Sequence, residues 1–201
     1  MNATTVLQET IPAAGDRQVR DTLLDLARRS IAHGLRHGQP LPPALAGQAP
    51  FLAEHRASFV TLTRHGQLRG CIGRLEAVRP LGADVADNAF AAAFGDPRFA
   101  PLAPEEFDEL RLTVAVLTVS EPLPVRGEAE LLARLEPGEH GLILEFGAHR
   151  ATFLPKVWEQ LPEPAEFLAQ LKRKAGLPAD YWSEAMRFRV YRSIDYTEAG
   201  G

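Results

Sequence analysis

One change of apolar period constrains this chain more than any other feature. Between Asp16 and His37, Val19, Leu23, Leu26, Ala27, Ile31 and Leu35 recur at offsets of three and four, the stripe of an amphipathic helix. From Ala57 the period falls to two. Phe59, Thr61 and Thr63 alternate with Val60 and Leu62, and Arg64-His65-Gly66-Gln67 leads into a second extended run, Leu68–Leu75. Two extended runs joined by so short a turn read as an antiparallel hairpin. A parallel pair would need a crossover of a dozen or more residues between them, so a doubly wound parallel sheet is disfavoured.

The rest of the chain continues the mixture. Gly38 with Pro40, Pro42 and Pro43 stops the first helix, and a proline-rich connection runs to about Pro50. Pro80 opens a second helix through Leu81, Val85, Ala89 and Phe90 to Phe94, and Gly95-Asp96-Pro97 breaks it. A short helix is expected near Pro104, and the β-branched run Leu112–Val119 is the best candidate for a central strand. Glu128–Leu135 reads as a short helix. Gly141–Phe146 and Arg150–Leu154 read as strands joined by Gly147-Ala148-His149. Pro164–Ala175 forms a further helix with Gly176 as its cap, and Met186, Phe188 and Val190 alternate with Arg187, Arg189 and Tyr191 as a half-buried strand. The fold class is therefore α+β, a mainly antiparallel sheet flanked by helices.

Composition narrows the classes of function. Of 201 residues, 45% are hydrophobic and 24% charged, with a net charge of −4, which excludes disorder as the dominant state. The acidic balance makes nucleic-acid binding unlikely. Arg56, Arg64, Arg69, Arg74 and Arg79 make a locally basic stretch that could attract an anionic ligand, but no aromatic residue stands between Arg69 and Arg79 to stack on bases. One cysteine, Cys71, cannot form an internal disulfide, and no apolar run approaches the ~20 residues of a membrane helix. With no secretory signal visible in Met1–Thr10, the expectation is a cytoplasmic chain without membrane association. Phosphate-loop, dinucleotide and serine-elbow motifs are absent, and no cofactor is predicted.

The densest chemistry lies in Leu68-Arg69-Gly70-Cys71-Ile72-Gly73. On a strand, Arg69, Cys71 and Gly73 share one face while Leu68, Gly70 and Ile72 share the other. A glycine on either side of Cys71 weakens a strand and marks a bulge or a place where a ligand approaches the backbone. A guanidinium two residues from a thiol favours the thiolate, the form that acts as nucleophile. Against this stands the ordinary behaviour of free cysteine as a small buried hydrophobe. His140, in Glu139-His140-Gly141, is the candidate base, with an exposed turn histidine as the plainer reading. Arg98, in Asp96-Pro97-Arg98-Phe99, and Arg69 are candidate anion clamps, and the backbone N–H groups near Gly70 and Gly73 candidate oxyanion donors. His33 and His37 stand four apart as metal ligands do, but no acidic residue lies between them, so no metal site is assigned.

These strings resemble the signature of the AMMECR domain family, whose prokaryotic members are called protein A of the AmmeMemoRadiSam system. The landmarks are Leu68–Gly73, Ala91–Phe99 and Pro101-Leu102, then Glu139–Leu142, Phe153-Leu154-Pro155 with Val157, Phe167-Leu168, Lys174–Pro178 and Trp182. Lys156 departs from the pattern, where glutamine is expected after the Leu-Pro pair. The resemblance implies one AMMECR-type domain of a larger and a smaller lobe over residues 16–196, between tails at 1–15 and 197–201. It also implies a cleft where the Cys71 loop lies, and genomic company with a Memo-like protein and a radical SAM protein. It brings no settled reaction. Two functions follow: a Cys71/His140-dependent enzyme acting on a small molecule or modified residue, or a non-catalytic assembly module for those two partners.

Overall fold

The structure is a computed structural model and describes residues 17–45 and 49–199. The expected tail at 1–15, the helix residue Asp16 and residues 200–201 lie outside the described residues. The chain divides into two compact units. One runs to Val119 and resumes at Ile194, and the other is Ser120–Ser193.

In the first unit, α1 (Arg17–His37) carries the stripe read from the sequence, with Leu23, Leu26, Ala27 and Ile31 buried on its inner face. Gly38 ends it at φ +67°, donating its N–H to the Gly34 carbonyl at 2.8 Å. The hairpin is β1 (Ser58–Arg64) and β2 (Gln67–Gly73), and its two turn residues, His65 and Gly66, both have positive φ. That is the twist a two-residue hairpin turn needs. Helix α2 (Leu81–Phe94) follows, then a 3-10 segment at Pro104–Glu109 and β3 (Leu110–Leu117).

The first sheet has the order β2-β1-β3-β8, where β8 is Ser193–Thr197. Its inward side chains Val60, Leu62, Leu112, Val114 and Tyr196 pack with those of α1 and α2 in one core. Each buried aliphatic or aromatic side chain contributes about 1.5–3 kcal/mol. Ser30 ties the layers, donating to the Ala86 carbonyl at 2.7 Å and accepting the Leu41 N–H at 3.1 Å.

The second unit holds the antiparallel sheet β4-β7-β5-β6: β4 (Glu121–Pro122), β5 (Gly141–Phe146), β6 (His149–Phe153) and β7 (Arg187–Tyr191). Its core joins Leu142, Leu144 and Phe188 to α3 (Glu128–Arg134) and α4 (Pro164–Lys174) through Leu131, Phe167, Leu168 and Leu171. Trp158 stacks on Phe167 at 3.8 Å between ring centres. Gly176, at φ +78°, caps α4 as expected, and His149 adds its ring Nδ1 at 2.8 Å from the Ala175 carbonyl.

Three expectations change. A tail beginning at 197 is wrong, because Thr197 closes β8 and Glu198 is fixed beyond it. Glu198 receives Arg28 and the Leu112 N–H, each at 2.9 Å on Oε2, and its own N–H meets the Leu112 carbonyl. The central strand starts two residues earlier than read, at Leu110, and ends at Leu117. His149 belongs to β6 rather than to the turn, which is Gly147-Ala148 alone.

Candidate functional site

Strand β2 is an edge of its sheet, so one row of its backbone groups has no neighbouring strand. Pairing sets the faces: Gly70 lies opposite Leu62 and Ile72 opposite Val60 on the core side, while Cys71 lies opposite Thr61 on the other. A bulge between Leu62 and Thr63 leaves Arg69 without a partner on β1 and leaves Leu68 exposed. Bulges re-aim the side chain they carry. Here Arg69 turns to Glu106, donating Nε and Nη2 to its two oxygens at 2.8 Å each, and Nη2 also to the Ala100 carbonyl at 3.0 Å. Its Nη1 is buried without a partner.

The Cys71 thiol is half-buried, 3.3 Å from the Thr61 hydroxyl. Its N–H points outward to the Asp96 carboxylate at 2.9 Å, and its carbonyl accepts Arg98 Nη2 at 3.3 Å. Asp96 in turn receives Arg98 Nε at 2.9 Å, Arg98 Nη2 at 2.6 Å and the Arg98 N–H at 3.1 Å. The Arg98 side-chain bond, helped by the two backbone donors, holds the Asp96 carboxyl well below the usual carboxylate range. The same bond from Asp96 raises the pKa of Arg98. Both guanidinia lie over the Phe99 ring, Arg69 at 5.9 Å and Arg98 at 5.5 Å.

The glycines have packing reasons. A Cβ on Gly70 would stand 2.1 Å from the Ala92 carbonyl oxygen of α2, and one on Gly73 would stand 2.2 Å from the Phe59 ring. The Cys71 N–H, expected among the oxyanion donors, is already committed to Asp96. Arg69 and Arg98, expected as anion clamps, each hold a carboxylate of their own unit.

His140 belongs to the second unit and Cys71 to the first. Its Nδ1 accepts the Glu136 N–H at 3.2 Å, and its carbonyl accepts the Trp158 indole N–H at 2.7 Å. Burial lowers its pKa, with Arg192 acting the same way and Glu136 and Glu139 opposing. The His33 and His37 rings lie 4.4 Å apart, tilted by 42°, and among the described residues no three His, Cys, Asp or Glu side chains are disposed to hold a metal ion. Sequence reading missed Thr61, Glu106 and the edge-covering role of Asp96. Asp96 alone left a local sign, an acidic residue opening the turn after a helix.

Residues 24–196 match the sequence pattern of the AMMECR1 family. The chain belongs to that family. Among its relatives, protein MK0488 of Methanopyrus kandleri is 39% identical over 168 residues, covering 80% of this AMMECR1-family chain and 78% of its own. A protein of Methanothermobacter thermautotrophicus is 42% identical over 173 residues, covering 85% and 88%. The crystal structure of the uncharacterized protein PH0010 from Pyrococcus horikoshii shares the AMMECR1-family fold, with a TM-score of 0.83 at 34% identity over 90% of this chain and 92% of that one. No helix among the described residues is long and apolar enough to cross a membrane.

Proposed function

We propose that this AMMECR1-family chain works through Cys71, as a thiol-dependent enzyme acting on a small molecule or a modified residue that carries a carbonyl or anionic group. The observation that supports this is the fixing of one half-exposed cysteine at three points: Thr61 at its sulfur, Asp96 at its backbone N–H and Arg98 at its backbone carbonyl. A held thiol loses little freedom when it meets a substrate. In the step, the S–H proton leaves to solvent and the sulfur pair bonds the carbonyl carbon. The carbonyl π pair moves to oxygen, which takes a proton from water. Arg69 and Arg98 act in this reading by positioning β2, and His140 closes the turn it sits in. The site serves a pathway shared with a Memo-like and a radical SAM protein.

Iodoacetamide labelling against pH tests the proposal. Labelling already well advanced near neutrality supports a working thiol, whereas a rate that climbs only above about pH 8.5 refutes it.

A second reading is favoured by the glycines, whose lack of side chains is used up by Ala92 and Phe59 of the same unit. The chain is then an assembly module for the Memo-like and radical SAM partners. Co-purification with both that survives Cys71→Ser supports this reading, and a chain that stays alone at micromolar concentration beside both partners rejects it.

A further inference from the structure

A second polar cluster lies where β2 leads into α2, and the Cys71 reading makes no use of it. Asp84, in the first turn of α2, is fully buried. Its Oδ2 is saturated by the Ser58 N–H at 2.9 Å, the Ser58 hydroxyl at 2.7 Å and Asn88 Nδ2 at 2.8 Å. Its Oδ1 is buried with no hydrogen-bond partner. Two guanidinia form long ion pairs with that oxygen without hydrogen-bonding to it, Arg79 Nε at 3.8 Å and Arg74 Nε at 4.0 Å. Arg79 is also paired with Asp87. Among the described residues the Arg74 side chain has no hydrogen bond, and it is 46% exposed.

A buried acceptor oxygen with no donor costs roughly 1–3 kcal/mol, so native structures seldom leave one. The two arginines, whose charge Asp84 and Asp87 balance, still bring N–H donors to this place, and the N-terminal end of α2 favours negative charge there. A bare anion such as sulfate meets only half of these demands, because it sets one acceptor against another at Oδ1. An oxyanion that keeps a proton meets both: its O–H donates to Asp84, and its other oxygens accept from Arg74 and Arg79. Desolvation raises the pKa of Asp84, which makes its oxygen a better acceptor for that proton.

We propose that Asp84 Oδ1, Arg74 and Arg79 form a binding site for a protonated oxyanion of the hydrogen-phosphate class, free or as a monoester, with Arg74 swinging onto the anion as it enters. The site stands independently of any reaction at Cys71.

Calorimetric titration of the full chain at about pH 6, where phosphate and a substantial share of a monoester keep a proton, tests this with inorganic phosphate, phenyl phosphate and sulfate as the three probes. Phosphate is expected to bind at least about tenfold more tightly than sulfate, the discrimination that one charged hydrogen bond made or lost provides. Phenyl phosphate binding as well as phosphate assigns the site to monoesters, and its failure beside phosphate assigns it to the free ion. Asp84→Asn is expected to erase the preference over sulfate. Arg74→Gln, a change at an exposed side chain, is expected to weaken phosphate by about tenfold while leaving the melting temperature of the unliganded chain unchanged. Equal binding of phosphate and sulfate, no binding of either, or phosphate binding untouched by Arg74→Gln overturns the proposal. If Asp84→Asn does not fold, the phosphate-to-sulfate ratio and Arg74→Gln decide it.

Discussion

Asp96 stands beside Cys71 in the place a neighbouring strand would occupy. Its carboxylate takes the outward N–H of Cys71 at 2.9 Å, and Arg98, fixed to that same carboxylate, reaches the Cys71 carbonyl at 3.3 Å. Donor and acceptor of one edge residue are thereby both satisfied by side chains, which blunts the edge against pairing with another chain. Asp96→Ala is expected to cost about 1.5–3 kcal/mol, because the Cys71 N–H and Arg98 lose the charged acceptor they share. It should also promote self-association. Urea denaturation and size-exclusion chromatography check the two effects separately.

Gly70→Ala drives a methyl group to within 2.1 Å of a helix carbonyl oxygen, and backbone cannot yield as a side chain can. The expected loss is about 1–3 kcal/mol or more, from overpacking. The urea midpoint of the variant should fall with the slope unchanged. An unshifted midpoint would mean that α2 can slide away from β2.

Acid should act on the two units through different groups. His140 is held below its ordinary 6.5 by burial, so the folded second unit prefers the neutral ring. Its contribution is complete above pH 6.5 and declines as pH falls below that value. Glu106 is lowered from 4.5 to about 2, chiefly by Arg69, so its contribution is complete above pH 4.5 and declines toward pH 2. That second loss is at most about 3 kcal/mol. Melting temperature against pH should lose its upper slope in His140→Gln and its lower slope in Glu106→Gln.

Lys172 is fully buried, donating to Glu128 Oε2 at 2.6 Å and to the Ala179 carbonyl at 3.2 Å, with its ammonium 5.8 Å from the Trp182 ring. Lys172→Met keeps the stem and removes the charge. It also leaves Glu128 and the Ala179 carbonyl without their donor, so a loss of about 1–3 kcal/mol is expected. Lys172→Ala also opens a cavity and should cost about 2–4 kcal/mol. Chemical denaturation of both variants distinguishes packing from charge as the source of stability.

Much of this architecture was legible because it is local. The stripe from Val19 to Ile31, the His65-Gly66 turn and the Gly176 cap each follow from residues within a few positions of one another. What was hidden is non-local. Nothing in Ser193–Thr197 announces that this strand joins β3, some eighty residues earlier, when β7 ends two residues before it in a different sheet. The site divides the same way. Cys71 facing away from Ile72 could be read from alternation and a bulge from the glycines, whereas the turning of Arg69 by that bulge, and the reach of Asp96 back to β2, depend on pairing and packing that spacing does not encode. Gly70 and Gly73 were read as marks of a bulge or of a ligand's approach; a bulge stands beside Gly70, and the groups against the two glycines are Ala92 and Phe59.

The return of β8 to the first sheet gives synthesis a fixed order of events. Its strand leaves the ribosome only after the whole of Ser120–Ser193, so β3 must wait with one flank bare while a second unit is made and folded. A pause or a lesion anywhere in that intervening segment therefore strikes the earlier-made half of the molecule too, by delaying the last strand that its sheet requires.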